Sequence, residues 1–214
     1  MEKTALAVPK PVRWTLGLGI AALLTAGPFL HYRMVYTHGK RLRVVTRGRF
    51  YRSGQMTVEG FTEAVARYGI RTIVNLQDEY PDPDVRQAYF DGHTVKESKL
   101  CRRLHVRYVY LPPDLIRRRL IPAHRPQAID RFLALLDRED TYPVLIHCKA
   151  GLHRTGVMTA VYRMEYEHWT PLEAFHELKE NGFGEFVASA NNDYITQYIL
   201  AYRPGIRQKP GGSP

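Results

Sequence analysis

The sequence predicts an α/β fold: a central, mostly parallel sheet of about four or five strands flanked by helices, with a transmembrane helix added at the N-terminus. Three observations predict it. Short apolar runs alternate with amphipathic helical patterns between residues 49 and 202. A glycine-bearing loop joins one of these runs directly to a helix. Near the start of the chain, 17 residues pass without a charge.

Residues 1–13 form a basic tail with Lys3, Lys10 and Arg13 against Glu2. The uncharged stretch, Trp14 to Leu30, is flanked by Arg13 and Arg33, with Trp14 and Tyr32 placed as interfacial aromatics. At about 1.5 Å per residue it spans about 26 Å, slightly short of a hydrocarbon core of about 30 Å, so flanking side chains must snorkel or the bilayer must thin. Residues 14–32 are therefore read as an anchor. A cleaved secretory signal is the main alternative, with Ala21-Ala22-Leu23-Leu24 as its centre, but Thr25, Ala26 and Gly27 run straight into Pro28, a poor cleavage site. A buried core helix fits neither the terminal position nor the basic flanks.

Residues 33–48 read as a basic juxtamembrane linker. The formal charge of +10 is concentrated there: residues 31–52 hold seven Lys or Arg and no acid, whereas residues 53–214 hold 21 bases and 20 acids. Such a segment is expected on anionic lipid headgroups, at about 1 kcal/mol per cation near the surface, and a nucleic-acid role has little support. Three cations precede the apolar stretch and six follow it within twenty residues, so the globular part is expected to face the cytoplasm.

Residues 49–202 are long enough for one domain with its own core. Strands are expected at Arg49–Arg52, Thr72–Leu76, Val106–Leu111 and Val144–His147. Between them, Thr57 to Tyr68 follows a threonine cap, and Arg125 to Asp137 places Ile129, Phe132, Leu133 and Leu136 on one face. Thr155 to His168 follows the loop, Thr170-Pro171-Leu172-Glu173 opens a further helix as a capping box, and Asn191 to Tyr202 is the last. Residues 203–214 read as a flexible tail. Cys101 and Cys148 offer no disulfide framework, and the histidines lack metal-ligand spacing, so neither a metal nor any other cofactor is implied.

The chemistry lies in His147-Cys148-Lys149-Ala150-Gly151-Leu152-His153-Arg154-Thr155-Gly156. Val144-Leu145-Ile146 delivers a thiol to a loop that opens a helix, where backbone N–H groups and the positive helix end converge on an anion. Those donors and Arg154 favour thiolate over thiol at Cys148. Arg154, six residues on, offers two phosphoryl oxygens a planar fork that lysine lacks. Thr155 carries a hydroxyl able to bond the sulfur, and Gly151 and Gly156 let the backbone bend and approach closely.

This loop resembles, residue for residue, the signature of the cysteine-dependent protein tyrosine and dual-specificity phosphatases. Tyr51-Arg52-Ser53-Gly54-Gln55 and Asn75-Leu76-Gln77-Asp78-Glu79 are similar, more weakly, to segments of small bacterial, fungal and plant-type members. The resemblance implies Cys148 as a nucleophile forming a phosphocysteine, Arg154 as phosphate clamp, Thr155 as the hydroxyl assisting the thiolate and His147 as an orienting neighbour. The family usually carries its general acid as an Asp on a loop thirty or more residues before the cysteine. Asp114, 34 residues upstream in Leu111-Pro112-Pro113-Asp114-Leu115, fits, with Asp78, Asp82 and Asp84 as rivals.

Lys149 and His153 add charge to the loop and resemble phosphoinositide and inositol-polyphosphate phosphatases, although Leu152 stands where those relatives often carry a second lysine. Arg117-Arg118-Arg119 adds a basic run after Asp114. The expected activity is phosphotyrosine or dual-specificity phosphatase, acting on a phosphorylated protein, with an inositol phosphate or phosphoinositide substrate as alternative. A non-catalytic phosphate-binding module is the second alternative.

Overall fold

The computed structural model describes residues 9–113, 126–184 and 193–207; Asp114 and Arg117-Arg118-Arg119 lie outside the described residues. The chain opens with α1, Lys10–Arg33, with Pro11 in its first turn and none of its residues buried. A π-turn, Met34–His38, continues it, and the combined 29 residues have a mean hydropathy of 1.3 in their apolar window. This helix is long and apolar enough to cross a membrane. It outruns the expected 14–32 because nothing between Lys10 and His38 stops it: Pro28 removes one N–H without ending the helix.

The residues expected to be a linker are folded. Gly39 to Leu42 form a tight turn, and β1 (Arg43–Thr46) pairs antiparallel with β2 (Phe50–Gly54) across a turn at Gly48, whose φ is +75°. Alternating Val44 and Val45 lie between charged residues, which masked the strand in the sequence. Helix α2, Val58–Tyr68, is capped by the Thr57 hydroxyl on the Gly60 N–H and closed by left-handed Gly69. Then follow β3 (Thr72–Asn75), a two-stranded antiparallel ribbon of β4 (Asp84–Arg86) and β5 (Thr94–Lys96), α3 (Glu97–Arg103) and β6 (Arg107–Tyr110). Beyond the undescribed segment come α4 (Gln127–Leu136), β7 (Val144–Cys148), α5 (His153–Tyr166), α6 (Pro171–Glu180) and α7 (Asp193–Leu200). The capping box at Thr170 and Glu173 forms as the sequence predicts.

The main sheet has the order β1-β2-β7-β3-β6, parallel except for β1. Strand alternation divides the core between its two faces. Phe50, Val74, Val144 and Ile146 pack with α4 to α7, whereas Tyr51, Ile73 and Leu145 pack with α2 and α3. Cys148 belongs to the first core and Cys101 to the second, so the sheet separates the two thiols. Burial, followed by the Glu97 charge, pushes the Cys101 thiol up to about 12 and keeps it unreactive.

Two termini are better anchored than expected. The Arg33 guanidinium lies 5.4 and 4.7 Å from the ring centres of Tyr89 and Phe90, fastening the end of α1 to the β4–β5 connection. Arg207, expected in a loose tail, donates to Asp137 at 3.0 Å and to Glu165 at 2.5 Å.

Candidate active site

β7 lies between β2 and β3, and its carboxyl end carries Cys148 into the crevice where parallel α/β sheets bind ligands. The loop from Lys149 to Leu152 then turns directly into α5, which has no side-chain cap. Its first N–H groups are therefore available to an anion.

The geometry of this loop follows from where its carbonyls go. The Lys149 carbonyl accepts from the Gln55 N–H at 3.2 Å, that of Ala150 from the Arg41 guanidinium at 2.9 Å, and that of Gly151 from Arg52 at 3.0 Å. In a trans peptide the N–H points opposite the C=O. Three outward carbonyls therefore turn the N–H groups of Ala150, Gly151 and Leu152 inward, as a concave nest for an oxyanion. The Gly151 N–H already donates to the Cys148 sulfur at 3.3 Å.

Close backbone approach makes glycine necessary at 151. Its φ is +76°, and a Cβ there would stand 2.5 Å from the Gly54 nitrogen and 2.7 Å from the Ser53 carbonyl carbon. Gly151→Ala is expected to displace the loop, lowering kcat/KM by about 10²-fold and the melting temperature with it. Steady-state kinetics and a thermal melt check this.

Arg52 is 3% exposed, and desolvation lowers its guanidinium to about 10, with the Glu177 charge opposing. Its burial places a fixed donor under the loop. The weak resemblance at Tyr51–Gln55 thus acquires a physical reason: Arg52 and Gln55 both hold loop carbonyls.

Arg154 reaches the same crevice with both Nη atoms on the Glu79 carboxylate, at 3.1 and 2.8 Å, and Nη2 3.1 Å from Asp78. Burial opposes its charge, but the Glu79 hydrogen bond and the two carboxylates prevail and hold it above the ordinary arginine value. The Arg154 hydrogen bond in turn holds Glu79 below the ordinary glutamate value. Glu79 grips the guanidinium through both Nη atoms and Asp78 lies against Nη2, while Nε has no hydrogen-bond partner among the described residues. Glu79→Gln is expected to raise KM about tenfold with little change in kcat, because the fork loses its brace. A fall in KM would show instead that Glu79 competes with phosphate.

His147 points to the opposite face, where its Nε2 lies 2.7 Å from Glu97 Oε1, both side chains fully buried, with Phe61 edge-on at 5.3 Å. This fixes the ring beside Cys148. No sequence signal marks Glu97, which opens the seven-residue helix α3 and meets His147 fifty residues on. The Thr155 hydroxyl lies 3.5 Å from the Ser53 carbonyl rather than on the sulfur. Gly156 gives α6 room: a Cβ there would meet Leu178 at 2.4 Å.

His153 is half-buried rather than open to solvent. Its ring packs edge-on against Phe183 at 5.4 Å, and burial, then the Arg154 charge, push it below the ordinary histidine value. Lys149 remains exposed, its ammonium 5.9 Å from the Tyr80 ring centre. Among the rival acids, Asp82 accepts from the Ser98 N–H and hydroxyl at 2.9 and 2.8 Å, and Asp84 pairs with Lys96 at 2.9 Å, so both serve the β4–α3 region. Asp78 alone of the three lies against Arg154.

A family model described as DSP-PTPase phosphatase fused to NAD+ kinase matches residues 28–193. The chain belongs to this phosphatase family. Dual specificity protein phosphatase TpbA of Pseudomonas aeruginosa is 36% identical over 72 residues, a match covering 30% of this chain and about a third (32%) of TpbA. The putative tyrosine-protein phosphatase OCA1 of Mycosarcoma maydis is 27% identical over 146 residues, 68% of this chain and 83% of that one. The TpbA crystal structure superposes with a TM-score of 0.56 at 21% identity, covering 76% of this chain and 84% of TpbA. The core catalytic domain of the PP-IP phosphatase SIW14 from S. cerevisiae gives 0.54 at 19%, covering 76% and 85%. The DSP-PTPase fold is thus shared by proteins whose names imply different substrates.

Proposed function

We propose that this chain is a membrane-anchored phosphatase that hydrolyses phosphate monoesters through a phosphocysteine at Cys148, with phosphotyrosine or dual-specificity activity. The nest of inward N–H groups around the Cys148 sulfur, with Arg154 beside it, is the observation that carries the reading. The nest and Arg154 bind the phosphoryl oxygens. The Cys148 thiolate attacks phosphorus as the ester P–O bond breaks, and the leaving oxygen takes a proton from a carboxylic acid. That acid, then a carboxylate, removes a proton from the water that cleaves the S–P bond. His147, held by Glu97, keeps the end of β7 in place.

Asp114 is the proposed acid, with Asp78 as second candidate because it lies at Arg154. A general acid matters most for poor leaving groups. Removing it is therefore expected to cost about 10²-fold on a phosphotyrosine peptide and much less on p-nitrophenyl phosphate. Parallel assays of Asp114→Ala and Asp78→Ala assign the role. If neither variant shows this leaving-group dependence, both assignments fail.

Anchoring is supported by the exposed apolar α1 and the cations beyond it, and the cytoplasm is the proposed side, in keeping with an unoxidised nucleophile. A panel of phosphotyrosine and phosphoserine peptides, phosphoinositides and soluble inositol phosphates tests the substrate. The second reading, an inositol phosphate or phosphoinositide substrate, draws on exposed Lys149 and on the likeness in fold to SIW14.

A further inference from the structure

The turn between the apolar helix and the sheet contacts the catalytic loop directly. The Lys40 carbonyl accepts from the Gly54 N–H at 2.7 Å, and the Arg41 guanidinium holds the Ala150 carbonyl at 2.9 Å. Lys40 and Arg41 both have left-handed backbones, with φ of +37° and +59°, a conformation costly for two successive non-glycine residues. Part of this turn closes the helix, with the Arg41 N–H on the Val35 carbonyl at 2.9 Å and the Leu42 N–H on the Gly39 carbonyl at 2.7 Å; the remaining contacts are to the loop and to β2. Gly54 clears space for the arrangement: a Cβ there would stand 2.5 Å from Lys40 Cγ and 2.9 Å from the Ala150 carbonyl carbon. Gly54 is also the register partner of Cys148, so the Lys40 stem runs beside the end of the nucleophile's strand.

Three cations thereby gather on one side of the loop: Lys40 and Arg41 from the turn, and Lys149 from the loop itself. None has an ion-pair partner among the described residues. Glu79, whose carboxylate senses Lys149, is already bound to Arg154, and Glu59 and Glu63 are taken by His38. Burial, then repulsion from Arg41 and Lys149, hold Lys40 below the ordinary lysine value. Like charges kept together without a counter-ion favour an anion between them.

We infer that Lys40, Arg41 and Lys149 form a second phosphate-binding site beside the catalytic one, so that the preferred substrate carries at least two phosphate groups. The inference rests on the catalytic reading above and narrows its substrate class. One phosphoryl group lies in the nest against Cys148 while its neighbour on the same molecule meets the three cations. Because Lys40 follows the end of the membrane-capable helix by two residues, the same chemistry suits a phosphorylated lipid headgroup and a soluble polyphosphate.

The test compares full-length wild type, Lys40→Gln and Lys40→Arg in detergent or vesicles. Substrates are p-nitrophenyl phosphate, a soluble inositol bisphosphate and a phosphatidylinositol bisphosphate in phosphatidylcholine vesicles. The expected result is a lower KM for the bisphosphates in wild type, raised about tenfold by Lys40→Gln and retained by Lys40→Arg, with p-nitrophenyl phosphate unchanged within about twofold. A loss confined to the vesicle arm assigns the second phosphate to lipid, and a loss in both arms assigns it to either source. Equal KM values for one- and two-phosphate substrates in wild type, or the same rise on every substrate in Lys40→Gln, would overturn the inference. Calorimetric binding of inositol bisphosphate to Cys148→Ser, with and without Lys40→Gln, separates the two readings. Lys40-dependent binding without turnover by wild type would sink the catalytic reading and keep this site; Lys40-independent binding would sink this site alone.

Discussion

Cys148→Ser is expected to lower kcat by about 10⁵-fold while leaving phosphate binding within about tenfold of wild type. The magnitude follows from removing a nucleophile from a site whose remaining groups only position and polarise. The hydroxyl is smaller than the thiol, still accepts the Gly151 N–H, and leaves the outward carbonyls of Lys149, Ala150 and Gly151 where they are. The nest therefore survives. A hydroxyl in this setting is a poor attacker because it has no adjacent base and does not ionise at neutral pH. Single-turnover kinetics alongside binding of inorganic phosphate measures both halves of the expectation. It also separates an enzyme from a phosphate-binding module, since a module loses nothing measurable in turnover when the sulfur goes.

The second large effect is at Arg154. Arg154→Lys is expected to lower kcat/KM by about 10³-fold even though the charge is kept. Glu79 grips the guanidinium through both Nη atoms, and in the proposed mechanism a phosphoryl group would use what remains of the same planar group. An ammonium has no second edge: bound to Glu79, it turns its donors away from the nest, and bound to phosphate it abandons its brace. Both kcat and KM are expected to suffer, because the developing negative charge on the phosphoryl oxygens is greatest in the transition state. Exchange at exposed Lys149, with Lys149→Arg, is expected to change kcat/KM by less than about threefold, which makes the asymmetry between the two positions a control.

Much of the fold was legible because its signals are local. Thr57 and the Thr170-to-Glu173 box place helix starts, and Val144-Leu145-Ile146 reads as a short buried strand. The loop after β7 was legible for the same reason, since ten contiguous residues, His147 to Gly156, carry its pattern. What the sequence hid depends on residues far apart. β1 was lost in a run of arginines, and the ribbon of β4 and β5 is three residues per strand. Arg52, Glu79 and Glu97 act through partners 99, 75 and 50 residues away, so no spacing rule reveals them. His153 looked cationic beside Arg154, but Phe183, thirty residues on, buries it. The cations after α1 were visible, whereas their seat against the Cys148 loop depends on left-handed turns at two residues that carry no glycine signal.

In the proposed mechanism the Cys148 sulfur becomes covalently bonded to phosphorus during turnover. Quenching the reaction with p-nitrophenyl phosphate in acid, digesting the protein and weighing the peptide that contains Cys148 tests it directly. One phosphoryl group is expected on that peptide in wild type and none in Cys148→Ser. Steady hydrolysis with no phosphoryl group on the peptide, or hydrolysis undiminished after alkylation of the sulfur, would contradict it.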